Sequence, residues 1–329
     1  MTGKDSKDSN EKYNTDYINR RSILRYGGLS GAMGASAVGG MWVGGNYNMS
    51  DEFNRFLKRR DIEIRDQVSE IDIDTDFTIG FATDGHYSDK SVYPRNYERN
   101  HDKLMNSFEN EGVDLLLFGG DNICHPNNGG RFVAQELVDT YYSRLGVPFY
   151  GAHGNHDQMS DEDWEEVYGH QKNYHVEMNN IGIIILDSAD SDGSEIGPDV
   201  EFLRKSLDNF QNKEHIFILS HYWFNQDYEN MMIGPGSADY LNEDAVRLIH
   251  KQNNVRGVLH GHNHGRNTGT IYDIEYGGVE KSYISGRIFG GTNESITEGY
   301  WIIEIEGNKA AAIFKTLSDA EIRTAGYLL

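Results

Sequence analysis

Three histidines, His260, His262 and His264, stand at alternate positions in the stretch Val258–Gly265, separated by Gly261 and Asn263. The chain has thirteen histidines in all, so this is a concentrated use of imidazole. In an extended segment, residues two apart point the same way. His262 and His264 can therefore serve one centre or two neighbouring ones, and so can Asp84 and His86 in Asp84-Gly85-His86. Asp121, Asn155, His156 and His221 complete a set of carboxylate, amide and imidazole donors. Such a set suits divalent ions such as Mn, Fe and Zn. It contains no run of thiolates, which rules out a structural tetrathiolate zinc site. His260 reads as a supporting or packing histidine beside the ligands.

Each candidate follows a short apolar run. Phe77–Thr83 precedes Asp84, and Val113–Gly120 precedes Asp121. Val147–Gly154 precedes Asn155, His215–Ser220 precedes His221, and Val255–Gly261 precedes His262. These runs read as buried strands. Between them lie helical patterns over 96–112, 131–146, 198–212 and 238–253. Tyr174–Ser188 reads as a hairpin leading into a long strand. Strand and helix alternate, and the polar clusters fall where strands end, as they do in open α/β sheets. The tail from residue 269 is richer in β signals, with a hairpin turn expected at Glu306-Gly307-Asn308. Gly85, Gly120, Gly154 and Gly261 adjoin candidate ligands, where tight turns are needed.

In order along the chain, Asp84-Gly85-His86, Gly120-Asp121-Asn122, Gly154-Asn155-His156-Asp157, His221 and Gly261-His262-Asn263-His264 resemble the blocks of the calcineurin-like metallophosphoesterases. The resemblance covers about residues 77 to 265. It implies an α/β fold, a four-layer α/β/β/α sandwich of two mixed sheets, around a two-metal centre. Asp84, His86 and His264 would hold one ion. Asn155, His221 and His262 would hold the other, with Asp121 bridging. His156 would touch the phosphate and assist the leaving group. The cofactors would be two divalent ions drawn from Mn, Fe and Zn, with Mn favoured. The reaction implied is phosphoester hydrolysis (mono-, di- or nucleotide pyrophosphate) by metal-activated hydroxide, with no covalent enzyme intermediate. The alternative is a non-catalytic metal- or nucleotide-binding surface protein on the same fold.

Two branches of the family fit poorly. Purple acid phosphatases have Asp-x-Gly in the first block and a tyrosine three residues after the bridging aspartate, where this chain has His86 and Cys124. Protein phosphatases extend Gly-Asp with Asp-Arg-Gly, where this chain reads Asn122-Ile123-Cys124-His125. Asp84–Asn100, with Tyr87, Arg95, Tyr97 and Arg99, resembles the Tyr/Arg-rich stretch after the first motif in some diphosphate-alcohol hydrolases. It would supply a phosphate clamp or a stacking face, against the plainer reading of a helix start with surface arginines. Cys124 reads as a small buried filler, with a metal neighbour or reactive thiol as the alternatives. Tyr222, Trp223 and Phe224 follow His221 and are expected to wall a pocket or fill the core.

The 329 residues carry 30 Lys and Arg against 52 Asp and Glu, a formal charge of −22. That excludes nucleic acid as a stable partner, since no basic stripe offsets the repulsion. Acidic residues spread along the whole chain suit a halophilic protein, because strong salt screens self-repulsion. One cysteine excludes an intramolecular disulfide.

The first fifty residues form a leader. Asn19-Arg20-Arg21-Ser22-Ile23-Leu24-Arg25 resembles a twin-arginine (Tat) export signal, and a Gly/Ala-rich weakly apolar run follows to Gly45. Ala35-Ser36-Ala37 is a candidate cleavage site. The expected organisation is residues 1–50 as leader, 51–72 as linker or surface helix, and 73–329 as the catalytic domain. The implied partners are a small phosphoester substrate and the Tat translocase. A membrane enters only if the signal is kept as an anchor, and the mature protein would be extracellular or held at the cell surface.

Overall fold

The computed structural model describes residues 57–61, 76–88, 97–124, 130–222, 243–262, 269–276, 279–286, 298–317 and 324–329. Two sheets carry the fold. The first has six strands: β2 (Phe77–Ala82), β3 (Leu115–Phe118), β4 (Phe149–Gly151), β11 (Gly299–Glu306), β12 (Lys309–Thr316) and β13 (Thr324–Leu328), in the order β13-β12-β11-β2-β3-β4. The second has seven: β1 (Leu57–Asp61), β5 (Tyr174–Met178), β6 (Ile181–Leu186), β7 (His215–Ser220), β8 (Val255–His260), β9 (Gly269–Tyr276) and β10 (Val279–Gly286), in the order β1-β9-β10-β8-β7-β6-β5. Both are mixed. β2, β3 and β4 run parallel, as do β6, β7, β8 and β10, while the remaining pairings are antiparallel.

Every residue of β3, β6 and β7 is buried. Their sequences Leu-Leu-Leu-Phe, Ile-Gly-Ile-Ile-Ile-Leu and His-Ile-Phe-Ile-Leu-Ser do not alternate, because a parallel strand in a covered sheet is apolar on both faces. Ile79, Phe81, Leu115 and Leu117 meet Ile183, Phe217, Leu219 and Leu259 between the sheets. On the outer face of the six-stranded sheet lie α1 (Tyr97–Glu111), α2 (Gly130–Leu137) with a π-helical turn at Val138–Tyr142, and α3 (Asp161–Tyr168). Leu104, Phe108, Leu137 and Trp164 pack there against Leu116 and Phe118. On the outer face of the other sheet, α4 (Val200–Asn209) and α5 (Glu243–Lys251) bring Leu203, Leu207, Val246 and Ile249 onto Ile184, Ile216 and Val258. The result is the expected α/β/β/α sandwich. No described helix is long and apolar enough to cross a membrane.

Some local details differ from expectation. Within the segment read as a linker or surface helix, Leu57–Asp61 is a strand paired antiparallel with β9, Leu57 opposite Ile274 and Asp61 opposite Thr270. The second sheet therefore recruits residues ahead of position 73. The partner lies over two hundred residues away, so no local pattern encodes the pairing. Pro198 sits just outside α4, and Asp199 is the cap, its carboxylate accepting from the Phe202 amide at 2.9 Å. The hairpin turn expected at Glu306-Gly307-Asn308 is present, with Gly307-Asn308 at its tip and Gly307 at φ 52°. The leader and residues 62–72 lie outside the described residues.

Candidate metal centre

The candidate ligands leave the carboxyl ends of five strands of two sheets. β2 opens into Thr83–His86, β3 into Gly119–Ile123 and β4 into Ala152–Asp157. β7 opens into His221 and β8 into Gly261-His262. Backbone hydrogen bonds carry the pairing past the strands: Asp84 N to Gly120 O (3.0 Å), His86 N to Asp121 O (2.8 Å) and Gly261 N to His221 O (3.0 Å).

Asp121 sits at the middle. Its Oδ1 is 3.2 Å from His221 Nε2, and its Oδ2 is 3.7 Å from His86 Nε2 and 3.9 Å from His156 Nε2. The Asn155 side-chain oxygen is 3.1 Å from His221 Nε2 and 3.0 Å from His262 Nδ1. Asp84 Oδ1 accepts from the His262 amide at 3.0 Å, tying the first block to the last. Ligand atoms of Asp84, His86 and Asp121 lie within 4.8 Å of one another, and so do those of Asp121, His221 and His262. Asp121 belongs to both groups, the place the resemblance gives to a bridge. Seven of the eight expected site residues therefore converge. His264 lies outside the described residues, together with Arg95, His125, Trp223 and Phe224.

The backbone here is held in an unfavourable conformation. Asp84, His86, Asp121 and His262 all have positive φ, at 55°, 43°, 49° and 66°, and Asn179 is the one other described non-glycine residue to do so. Each such residue costs on the order of 1 kcal/mol or more, and such outliers gather at functional sites. Two glycines make room. A Cβ on Gly154 would land on the backbone nitrogen of Asp121, and one on Gly120, at φ 91°, would meet the His221 ring.

The electrostatics follow from burying opposite charges together. Asp84, Asp121 and His221 are all but inaccessible to solvent. Burial alone would raise the Asp121 carboxyl, but His221, His86 and His156 hold it well below the usual carboxylate range. His221, against its own burial, is pushed up to about 9 by Asp121 and Asp84. Two buried carboxylates, an amide oxygen and three imidazoles converging, with no lysine or arginine joining them among the described residues, fit a pair of divalent cations. The cations would replace the charge that protonated imidazoles otherwise supply.

Several supporting residues were not singled out in the sequence. Asp157 accepts from the amides of Ile123 (2.9 Å) and Gly154 (2.9 Å) and from Asn122 Nδ2 (3.0 Å), locking the two central loops together. Burial and the charge of Asp121 push its carboxyl up to about 6. His153 is fully buried, with Nδ1 3.1 Å from Asp187 Oδ1 and Nε2 3.2 Å from the Asp157 carbonyl. Thr83 donates to Asp84 Oδ2 at 2.9 Å. His101 of α1 fills the space against Gly85, where a Cβ would come within 2.9 Å of its Nε2. It falls one turn ahead of Leu104 and Met105 on the helix's inward stripe, and that spacing was the available signal. His260 is buried, as a packing histidine should be, and burial drives it down to about 3. Tyr222 does wall the cluster, its ring centroid 4.2 Å from that of His262. Arg99 is exposed on α1.

The family model described as calcineurin-like phosphoesterase matches residues 77–266, more than half of the chain. No curated protein matches. Among solved structures, a dimetal phosphatase from Danio rerio aligns with TM-score 0.55 at 14% identity, covering 76% of this chain and 99% of that one. A phosphoesterase from E. coli, Yfce, aligns at 0.39 and 13%, covering 76% and 98%. Vps29 from Entamoeba histolytica, solved with zinc, aligns at 0.37 and 14%, covering 77% and 99%. At these identities the first likeness speaks for the fold. With its ordered blocks, two mixed sheets and family match, the chain belongs to the calcineurin-like phosphoesterase family.

Proposed function

We propose that the chain is an exported, binuclear metal-dependent phosphoesterase. The observation that carries the reading is the convergence of Asp84, His86, Asp121, Asn155, His221 and His262 from five strand ends, with Asp121 shared between two ligand groups. Two divalent ions there would neutralise phosphate oxygens and acidify the attacking water. Asp84, His86 and His264 are assigned to one ion, Asn155, His221 and His262 to the other, and Asp121 to both, with manganese favoured.

The protein's own part is orientation and proton transfer. The His156 ring is partly accessible, 27% exposed at the side chain, whereas those of His86 and His221 are buried. Its amide donates to Asp121 Oδ1 at 2.8 Å, and its ring meets that of His86 edge-on at 4.8 Å. Fixed at the cluster yet open to solvent, it is placed to donate a hydrogen bond or proton to the departing oxygen. Tyr222 packs against the His262 ring at one side of the cluster.

The substrate class stays as broad as phosphomonoester, phosphodiester or nucleotide pyrophosphate. Elemental analysis should find two metals per chain. Hydrolysis of p-nitrophenyl phosphate or its bis ester should require added manganese and disappear with chelator or in Asp121→Ala. Two metals without turnover on a panel of nucleotides, cyclic nucleotides and phosphosugars would point to the non-catalytic binder instead. Export through the Tat route predicts that replacing Arg20 and Arg21 by lysine retains the protein in the cell. The charge of −22 suits work in strong salt, where the Debye length shrinks from about 8 Å at 0.15 M to about 3 Å at 1 M. A melting temperature that does not rise with potassium chloride would argue against that setting.

A further inference from the structure

The ligand atoms of His86, Cys124 and His156 lie within 4.8 Å of one another. This group shares His86 with the Asp84–His86–Asp121 group, so the two are contiguous. The backbone explains why a thiol arrives there. Beyond β2 and β3 the chain continues as a short parallel ladder: Tyr87 N donates to Asn122 O at 2.9 Å and Cys124 N to Tyr87 O at 2.9 Å. The bridge between Tyr87 and Ile123 fixes this register. It sets Cys124 beside the segment that carries His86. Tyr87 and Ile123 are buried, whereas Cys124 is partly accessible. The thiol is thus not the buried filler its sequence context suggested.

We propose that Cys124 is a sulfur donor to the ion held by Asp84 and His86, giving one half of the centre a mixed nitrogen, oxygen and sulfur ligand set. A thiolate favours a borderline ion such as zinc, iron(II) or cobalt(II) in this half, which would confine the manganese favoured above to the other half. It is a ligand only as thiolate, so binding releases the thiol proton to solvent. The two halves of the centre would then differ in metal preference: the Asn155, His221 and His262 half offers amide and imidazole, with Asp121 shared. This inference rests on the metal-centre reading above and concerns its composition.

Cobalt(II) separates the two. In the full chain loaded with cobalt, visible ligand-field bands report an imidazole–carboxylate site, whereas a near-ultraviolet sulfur-to-cobalt charge-transfer band reports a thiolate ligand. The wild type is expected to show both. Cys124→Ser should keep the ligand-field bands, lose the charge-transfer band and weaken cobalt retention on the order of tenfold. Bound cobalt should also slow alkylation of Cys124 by iodoacetamide in the folded wild type. Ligand-field bands without charge transfer, and alkylation unaffected by cobalt, would overturn the role of Cys124 and leave the metal centre standing. No ligand-field bands at all would remove the centre itself. Circular dichroism of Cys124→Ser checks that it folds, and the alkylation arm needs no variant.

Discussion

At the scale of single residues, the proposed function divides the site into groups that would hold charge and one, His156, that would move a proton. Asp121 and its partners do the holding, and each touches at least one other. His156 is different. Its amide is anchored while its ring reaches toward solvent. His156→Ala should therefore lower kcat by roughly 10²- to 10⁴-fold while the chain keeps its full metal content. The loss should be smaller for substrates whose leaving group needs no proton, such as p-nitrophenolate, than for alkyl esters. An equal loss on both would rule out leaving-group protonation, and loss of metal would make His156 a ligand. The seven expected residues that converge stood out in the sequence because their chemistry is unusual at the end of an apolar run and glycines mark the turns. Asp157, His153, Asp187 and Thr83 were not assigned supporting roles, because their work depends on what packs beside them. A buried histidine facing Asp187 looks no different in a one-dimensional string from an exposed one.

At the scale of elements, the strands that bear the site are written plainly, since a parallel strand covered on both faces must be apolar throughout. The elements that steady the site are written faintly. α3 reads as an acidic segment, Asp161-Glu162-Asp163-Trp164-Glu165-Glu166-Val167-Tyr168. Its inward stripe is Trp164, Val167 and Tyr168, and Trp164 packs edge-on against His153 at 5.0 Å. Ser160 caps its start and Gly169, at φ 79°, ends it. β1 exists through a partner far along the chain, whereas β13 pairs with β12 just before it. The loops after β3 and β4 meet at Asp157, which has no stretch of regular structure to replace it. Asp157→Ala would leave the Ile123 and Gly154 amides and Asn122 Nδ2 without that acceptor. It should cost about 3 kcal/mol or more in urea unfolding, and metal binding should fall with it. Asp157→Asn, which keeps one carbonyl oxygen, should recover part of both. Unchanged stability in the alanine variant would show that the two loops hold their own shape.

At the scale of the whole molecule, the apolar packing of the seven-stranded sheet on its outer helices includes a polar tie at His250 that works when the ring is neutral. His250 at the end of α5 is 1% exposed, with Nδ1 2.9 Å from the Val279 carbonyl and Nε2 3.3 Å from the Tyr283 hydroxyl. One nitrogen donates and the other accepts, which is the pattern of a neutral ring. Burial, with Lys281 nearby, drives its pKa from 6.5 down to about 4. The unfolded chain therefore takes up a proton here before the folded chain does. Stability is whole above about pH 6.5, falls as the pH drops toward 4, and levels below that. The full span is worth about 3 kcal/mol, of which about 2 kcal/mol is gone by pH 5. Urea midpoints measured at pH 7 and pH 5 in metal-free protein should differ by more in the wild type than in His250→Gln, whose side chain does not titrate. The variant will be less stable at pH 7, so the comparison rests on the difference between the two pH values. Equal differences would mean that His250 takes its proton as readily inside the fold as outside it, and that acid weakens the molecule through the metal-centre residues instead.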